Sequence, residues 1–242
     1  MPIIYEPKGK ALEYAPLAAN LYKGCSHGCV YCYAPSATYT TSEKFFSMAR
    51  ARENVIRLLR KDAEKLHGDP RNVLLCFTCD PYQPLNDEHG LTRKAIQTIN
   101  GEDIPVTILT KGGLRPCRDF DELSTHPGNN FAVTLTTDDE MASLEWEPRA
   151  ATPKDRIEGL RIAHESGITT WVSFEPVIDP EAVYRMIEAT HGFVDLYKIG
   201  KLNYHPLAKQ IDWITFREKA KAMLESIGKP YLIKKDLATM AA

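Results

Sequence analysis

Six short apolar runs, most of them followed by a helical pattern, constrain the fold of this chain more than any other feature. The runs lie at residues 18–22, 73–77, 106–110, 131–136, 169–174 and 193–199. Several are almost continuously apolar, as is typical of parallel strands buried on both faces. Strands that alternate with helices predict a parallel α/β fold with right-handed crossover connections.

The helices between the runs have recognisable ends. Residues 51–67 carry apolar side chains on one face, and this pattern stops at Gly68. Thr152 provides an N-cap for a helix that Gly167 ends, and residues 209–227 form a last amphipathic helix. These helix start and stop signals therefore support the alternation of strands and helices along most of the chain.

Polar residues at the ends of the predicted strands indicate how the sheet closes. Six units are too few for an eight-fold barrel, which leaves a (β/α)6 partial TIM barrel and a doubly wound sheet as alternatives. In barrels, the chemistry lies at the carboxyl ends of the strands, so six polar strand ends that share one mouth favour the partial barrel. These residues are Cys25, Thr78 to Asp80, Lys111, Thr136 to Asp138, Glu175 and Lys198 to Lys201.

The organisation of the 242 residues predicts one domain, because there is no internal repeat, low-complexity tract or linker. We expect a short N-terminal extension over residues 1–17, and a C-terminal helix plus tail over residues 207–242. We also expect a monomer.

Charge and hydropathy exclude several classes of protein. Thirty Lys and Arg oppose 32 Asp and Glu, so the formal net charge of -2 gives no overall attraction to nucleic acid or anionic membrane. DNA stays a candidate partner that the net charge does not support, and it would need a local basic patch. The sequence has neither an apolar run of about 20 residues nor a signal-peptide pattern. These features predict a cytoplasmic protein without a membrane partner.

Three of the six cysteines are clustered as C-x3-C-x2-C at Cys25, Cys29 and Cys32, directly after the first run. Six cysteines are too few for a disulfide scaffold, so the cluster indicates metal binding or catalysis. A structural zinc ion needs a fourth ligand, and His27 lies awkwardly between the first two cysteines. We expect His27 to be a solvated loop residue. Three thiolates can instead hold a 4Fe-4S cluster and leave its fourth iron open, which we favour over zinc.

The sequence resembles the radical S-adenosylmethionine (SAM) enzymes, and within them the subgroup of spore photoproduct lyase and its uncharacterised relatives. The resemblance runs from about residue 18 to about residue 204. It rests on the cysteine spacing, the aromatic Tyr31, and the segments "YKGCSHGCVYCYA", "CDPYQPLN", "VTILTKGG", "LTTDDE", "EPRAATPKDRIEGL" and "VSFEPVI".

The resemblance implies a 4Fe-4S cluster that binds SAM at its open iron and cleaves it reductively to a 5'-deoxyadenosyl radical. That radical abstracts a hydrogen atom from the substrate. A reductant such as flavodoxin or ferredoxin is the implied electron donor, and repair of damaged DNA is the implied reaction. A radical enzyme for a small molecule or a protein side chain, and a non-enzymatic zinc-binding module, are the alternatives.

The resemblance also suggests cofactor-binding residues at the mouth. Tyr31 matches the aromatic position that packs near the adenine, and Lys111 matches a cation that pairs with the methionine carboxylate. Thr136 matches a position that hydrogen-bonds the cofactor. The turn from Thr78 to Asp80 is expected to do the same, and Glu175 faces the same mouth.

Two further residues are candidates for catalysis. In spore photoproduct lyase a cysteine returns a hydrogen atom to the product radical, and Cys79 is the free cysteine best placed for this role. Tyr82, in the "DPYQP" segment, is the candidate residue facing the substrate. Cys76 lies within a predicted strand, where a free cysteine usually packs as a small apolar residue, and Cys117 has no assigned role.

Overall fold

The computed structural model describes residues 2–240, and ten strands are present in this part of the chain. The strands are β1 (Ile4–Tyr5), β2 (Leu17–Ala19), β3 (Tyr22–Lys23), β4 (Arg50–Ala51), β5 (Val73–Leu75), β6 (Val106–Thr110), β7 (Asn130–Thr134), β8 (Thr169–Val177), β9 (Leu196–Lys201) and β10 (Tyr231–Ile233). Eight of them form one sheet in the order β1-β2-β5-β6-β7-β8-β9-β10, and β3 pairs with β4 in a separate two-stranded sheet. All neighbours in the large sheet are parallel except β1, which is antiparallel to β2.

Helices connect most of the parallel strands. They are α1 (Ala34–Ala37), α2 (Ser42–Ser47), α3 (Val55–Lys65), α4 (Leu85–His89), α5 (Leu91–Asn100), α6 (Phe120–Leu123), α7 (Glu140–Trp146), α8 (Pro153–Glu165), α9 (Pro180–Thr190), α10 (Trp213–Ser226) and α11 (Lys235–Ala238). Short 3-10 turns lie at Gly9–Glu13, Arg115–Asp119 and Pro206–Lys209. None of the helices described in residues 2–240 is long and apolar enough to cross a membrane.

The predicted sequence signals account for the main elements. The Thr152 hydroxyl accepts a hydrogen bond from the amide of Asp155 at 3.1 Å and caps α8. Side chains of the central strands are buried on both faces of the sheet, with Ile108, Val133 and Phe174 fully buried. The parallel α/β architecture predicted from the sequence is confirmed.

The strand count differs from the prediction at both ends. The first predicted run divides into β2 and β3, because the Asn20 side chain between them accepts hydrogen bonds from the amides of Phe77 and Thr78. A seventh parallel strand, β10, lies in the segment expected to be a tail and pairs with β9. Three residues are too few to show a hydrophobic period.

Candidate active site

The three clustered cysteines follow β3 and face one cavity of about 130 Å³ at the carboxyl ends of the parallel strands, here named the cysteine cavity. The cavity also takes side chains from the ends of β5, β6 and β7, as expected if several strand ends serve one mouth. Its walls are formed by Cys25, His27, Cys29, Tyr31, Cys32, Tyr33, Ala34, Cys76, Phe77, Thr78, Cys79, Asp80, Leu109, Thr110, Lys111 and Thr134.

Contacts outside the loop hold the first cysteine in place. Gly24 has a φ of 81°, and a Cβ there would lie 2.5 Å from the carbonyl oxygen of Phe45. That same carbonyl accepts the amide of Cys25 at 3.2 Å. The buried Gln83 side chain donates to the Gly24 carbonyl at 3.3 Å and accepts the amide of Ser26 at 3.0 Å. Gln83 therefore orders this loop, a role that the sequence analysis missed.

The three cysteine side chains share one cavity, as the ligands of an iron-sulfur cluster would. A zinc site needs its ligands around a single ion at about 2.0 to 2.3 Å. Within residues 2–240, no group of three or more His, Cys, Asp or Glu side chains is arranged to hold a metal ion. In a 4Fe-4S cluster each thiolate binds a different iron, so the three sulfurs stand further apart around a shared volume. The three free cysteines line one cavity, where each could bind one iron of such a cluster.

Burial controls the protonation of these thiols. It raises the pKa of Cys25 well above its ordinary value, and that of Cys29 to about 12. Burial also raises the pKa of Cys32, while the Lys111 ammonium acts in the opposite direction on Cys29 and Cys32. Metal binding at such thiols releases their protons, because the thiolate is the ligand.

His27 is buried, with 1% of its surface exposed, so the expectation of a solvated residue is wrong. Its Nδ1 lies 3.5 Å from a carboxylate oxygen of Asp80, and burial lowers its pKa to about 4. Its Nε2 is buried and has no hydrogen-bond partner within the described residues. An unpartnered polar atom on the cysteine cavity is the kind of group that a bound cluster or cofactor would satisfy.

Lys111 and Tyr31 are neighbouring polar residues of the cysteine cavity. The Lys111 Nζ lies 5.7 Å from the centre of the Tyr31 ring. Burial lowers the pKa of Lys111, but Cys29 and the carboxylates of Glu147 and Asp80 raise it overall, so the side chain stays cationic. The Tyr31 hydroxyl donates to Glu147, and an Arg156 Nη1 lies 2.5 Å from the other Glu147 oxygen. Glu147 and Arg156 thus fix the ring, a function that the sequence did not reveal.

Asp80 organises the turn after β5 through contacts within the chain. One of its oxygens accepts from the Thr110 hydroxyl at 2.6 Å and from the amide of Tyr82 at 2.8 Å. The other accepts from the amide of Lys111 at 2.7 Å. These bonds position Lys111, so the carboxylate is a part of the wall that also orders its neighbours.

A second cavity of about 330 Å³, here named the aromatic cavity, shares Tyr31, Tyr33 and Phe77 with the cysteine cavity. Its walls are mainly apolar and aromatic, which suits an organic ligand with few polar groups. The lining residues are Lys10, Ala11, Tyr14, Tyr31, Tyr33, Phe77, Glu175, Pro176, Leu202, Asn203 and Tyr204.

Glu175 provides the anionic group of the aromatic cavity. It accepts hydrogen bonds from the Tyr14 hydroxyl and the buried Lys234 ammonium. Gly200 lies directly behind it, because a Cβ there would come within 2.7 Å of the Glu175 carboxylate. Burial lowers the pKa of Lys234, and Glu175 opposes that shift.

The family of the chain follows from its sequence together with this site. The model of the radical SAM superfamily matches residues 19–194, which include the cysteine loop and the six strands from β3 to β8. The chain belongs to the radical SAM superfamily. It is therefore an enzyme, and its family implies a 4Fe-4S cluster and SAM.

Curated relatives of this radical SAM protein are uncharacterized. One, from Methanocaldococcus jannaschii, is 26% identical over 191 residues, which are 78% of this chain and 71% of the relative. Another, from Mycobacterium bovis, is 28% identical over 178 residues, 71% of this chain. The chain spans only 52% of the length of that mycobacterial relative.

Solved structures similar to this radical SAM protein share its fold. A spore photoproduct lyase variant with bound AdoMet and dinucleoside spore photoproduct has a TM-score of 0.73 at 14% identity. That match covers 96% of this chain and 78% of the lyase. SuiB of Streptococcus suis bound to S-adenosylmethionine has a TM-score of 0.64 at 13% identity, covering 89% of this chain and 49% of that protein.

The structure brings most of the predicted cofactor-binding and catalytic residues to the two cavities, but Thr136 and Tyr82 lie elsewhere, as do Asp138 and Lys198 of the predicted strand ends. Thr136 is beyond the end of β7, and Thr134 lines the cysteine cavity instead. The Thr136 hydroxyl is buried and has no partner within residues 2–240. Tyr82 is buried with its hydroxyl on Asp119 at 3.0 Å and lines neither cavity. Cys117 also lines neither cavity.

The remaining two thiols lie against the cysteine cavity. The Cys76 sulfur accepts from the amide of Leu21 at 3.4 Å, and Cys79 donates to the carbonyl of Tyr22 at 3.6 Å. Burial raises the pKa of Cys79 well above its ordinary value, with Cys76 adding to the shift. Cys79 is therefore held as a neutral thiol, the form that carries a hydrogen atom.

Proposed function

We propose that this radical SAM enzyme holds a 4Fe-4S cluster by Cys25, Cys29 and Cys32 in the cysteine cavity and binds SAM across the boundary with the aromatic cavity. When bound, the cluster and SAM supply a 5'-deoxyadenosyl radical that abstracts a hydrogen atom from the substrate. The observation that carries this proposal is the convergence of the three cysteines and Lys111 on one cavity that adjoins an aromatic one.

In this proposal the chain positions the cofactor through two side chains. Lys111 holds the methionine carboxylate of SAM as a compact cation, and Tyr31 packs against the adenine. Asp80 and Glu147 keep these two groups in place through the bonds described above. The apolar walls of the aromatic cavity exclude water from the reacting carbon, which protects a radical from side reactions.

For the substrate we propose a thymine lesion in DNA, as in the spore photoproduct lyase subgroup. Cys79 then returns a hydrogen atom to the product radical, so that its S–H bond breaks and a C–H bond forms. Its position on the cysteine cavity supports this role. Flavodoxin or ferredoxin is the proposed reductant.

A compact organic substrate is the second candidate. The aromatic cavity of about 330 Å³ is lined by tyrosines and a phenylalanine, and such walls fit a small molecule or one protein side chain. The substrate trial below separates this candidate from damaged DNA.

Anaerobic reconstitution with iron and sulfide tests the cofactor. We expect about four irons per chain in the wild type, and loss of that iron when Cys25, Cys29 or Cys32 is changed to Ala. Cys117→Ala is the matched control, because this cysteine lines neither cavity, and it should retain the iron. One tightly held zinc per chain, with no iron bound, would overturn the assignment.

Turnover in deuterated water tests substrate and thiol together. Ultraviolet-irradiated thymine oligonucleotides should be consumed, with solvent deuterium entering the product from the exchangeable thiol. Cys79→Ala should lose the deuterium label and divert product to side reactions, while SAM cleavage and the Cys117→Ala control stay normal. If no irradiated oligonucleotide is consumed although SAM is cleaved, the compact organic substrate takes its place.

A further inference from the structure

A third cavity, of about 550 Å³, lies on the other side of the cysteine loop and is here named the basic pocket. It is larger than the cysteine and aromatic cavities and is not part of the cofactor site. Its walls come from the two-stranded β3–β4 sheet, α2 with the segment before it, and the turn after β5. The lining residues are Tyr22, Lys23, Gly24, Thr38, Thr40, Lys44, Phe45, Met48, Arg50, Arg52 and Thr78.

Four of these side chains are cationic, and no Asp or Glu lines the pocket in the described part of the chain. Lys23, Lys44, Arg50 and Arg52 make no ion pair with any carboxylate of residues 2–240. In contrast, Arg93 and Arg161 on the outer helices each contact two or more acids. Charges of one sign concentrated in a cleft attract a ligand of the opposite sign.

The pairing of β3 with β4 brings two positive charges together. Lys23 and Arg50 are direct cross-strand partners in the antiparallel pairing of β3 and β4. Like charges at such a position are destabilising unless an anion lies between them. The Nε of Arg52, two residues further on, is buried and has no partner within residues 2–240. These groups place positive charge without an acidic partner around one concave surface.

We propose that the basic pocket binds phosphate groups and thereby holds a nucleotide-bearing substrate beside the cysteine loop. The substrate role rests on the proposed function, whereas phosphate binding does not. Hydroxyls of Thr40 and Thr78 add neutral donors to the cations, a combination that phosphate oxygens accept. A concave site of this volume fits a ligand group better than the flat face of a protein.

The basic pocket is linked to the cofactor site by a shared residue and by a hydrogen bond. Thr78 lines both the basic pocket and the cysteine cavity. Phe45 lines the pocket, and its carbonyl receives the amide of Cys25. A phosphate held here therefore lies one loop away from the reacting volume, and it supplies the local basic patch that the net charge of the chain does not.

Binding of a fluorescent single-stranded oligothymidylate to the reconstituted protein tests the proposal. Lys44→Gln/Arg50→Gln should weaken binding about tenfold or more at low salt. The slope of log affinity against log salt should become shallower by about 1.4, because about 0.7 is lost per phosphate contact on a single strand. The control Arg60→Gln/Lys61→Gln removes two exposed charges from the neighbouring α3 and should leave both quantities nearly unchanged.

Competition separates the two sources of phosphate. Inorganic phosphate and thymidine monophosphate should displace the strand from the wild type but not from what binding remains in Lys44→Gln/Arg50→Gln. If thymidine monophosphate binds as tightly as the oligonucleotide, the pocket holds a nucleotide, and if the oligonucleotide binds far more tightly, it holds a strand.

Three results would overturn the proposal: equal weakening in both double variants, no competition by either phosphate compound, or intact oligonucleotide binding with impaired reduction by ferredoxin. The last result would assign the pocket to an acidic protein. Because all four changes lie outside the cofactor site, SAM cleavage without substrate should persist in each variant. Failure of that cleavage in the wild type counts against the proposed function and leaves the phosphate result valid.

Discussion

The cysteine cavity and the Glu175 end of the aromatic cavity both bury charged groups, but their partners come from different parts of the chain. At the cysteine cavity, Lys111 and Tyr31 are held by Asp80, in the turn after β5, and by Glu147, in the β7–β8 connection directly after α7. At the other end, Glu175 is held by Tyr14 and Lys234, which lie before β2 and after β10.

This difference separates the residues that can be predicted from the ends of strands in the sequence from the residues that cannot. The charges of the cysteine cavity belong to the strand-end loops of the partial barrel itself. Those around Glu175 depend on segments that pack across the mouth from the two outer parts of the fold. We therefore expect changes at the cysteine cavity to affect folding and cofactor binding most, and changes around Glu175 to have smaller effects.

The largest expected effect is that of Arg156→Met. It removes the cation beside Glu147 and leaves a fully buried carboxylate, so the free energy of unfolding should fall by about 3 to 5 kcal/mol. Urea unfolding measures this change. The double variant Arg156→Met/Glu147→Gln should recover part of the loss, and a single variant as stable as the wild type would show that the pair does not support Tyr31.

Lys111→Ala should have the next largest effect, on cofactor affinity. Loss of one charge-assisted contact with a carboxylate is worth about 1.5 to 3 kcal/mol, so the Kd for SAM should rise about ten- to a hundredfold. Equilibrium binding to the reconstituted protein measures it. Lys94→Ala, at an exposed position on α5, is the control. Unchanged affinity in Lys111→Ala would remove this lysine from the cofactor site.

Lys234→Met should have a smaller effect than Arg156→Met. Glu175 retains the Tyr14 hydroxyl and is partly exposed, so we expect a loss of about 1 to 3 kcal/mol in the free energy of unfolding. The same urea experiment compares the two variants directly. A larger loss for Lys234→Met than for Arg156→Met would reverse the comparison between the two ends of the mouth.

The smallest predicted effect is a pH dependence at Lys198, whose ammonium donates to the carbonyls of Glu13 and Tyr14. Burial, with help from Lys234, lowers its pKa from 10.5 to about 8. Between these values the unfolded chain binds more protons, so this group makes the wild type more stable as the pH rises.

Lys198→Met removes that contribution. The difference in unfolding free energy between wild type and variant should shift in favour of the wild type by about 1 kcal/mol from pH 8 to about pH 10. A difference that stays constant over this range would show that Lys198 titrates normally.

Sequence reasoning located the residues whose role depends on local spacing. Cys25, Cys29 and Cys32 lie within eight positions, and Lys111 directly follows a strand, so the motif and the strand ends were sufficient. Gln83 and Glu147 were missed because they act on residues 57 and 116 positions away, respectively. Only the folded loops bring such pairs together.

The errors at Thr136 and His27 have a related cause. The apolar run of residues 131–136 continues two positions beyond the end of β7, so sequence alone placed the strand end too late. A histidine between glycine and serine in a loop reads as exposed, yet the loop folds over it beside Asp80. In both cases tertiary packing determines the surroundings of the side chain, and no local sequence pattern indicates those surroundings.

The close approach of Gly200 to Glu175 makes the size of the aromatic cavity adjustable by evolution or design. Since no side chain fits between them, any larger residue at position 200 must push the carboxylate toward the ligand. The size of the residue at position 200 therefore limits how deep the aromatic cavity can be. A single exchange there could narrow the range of molecules admitted without altering any group that touches the cysteines.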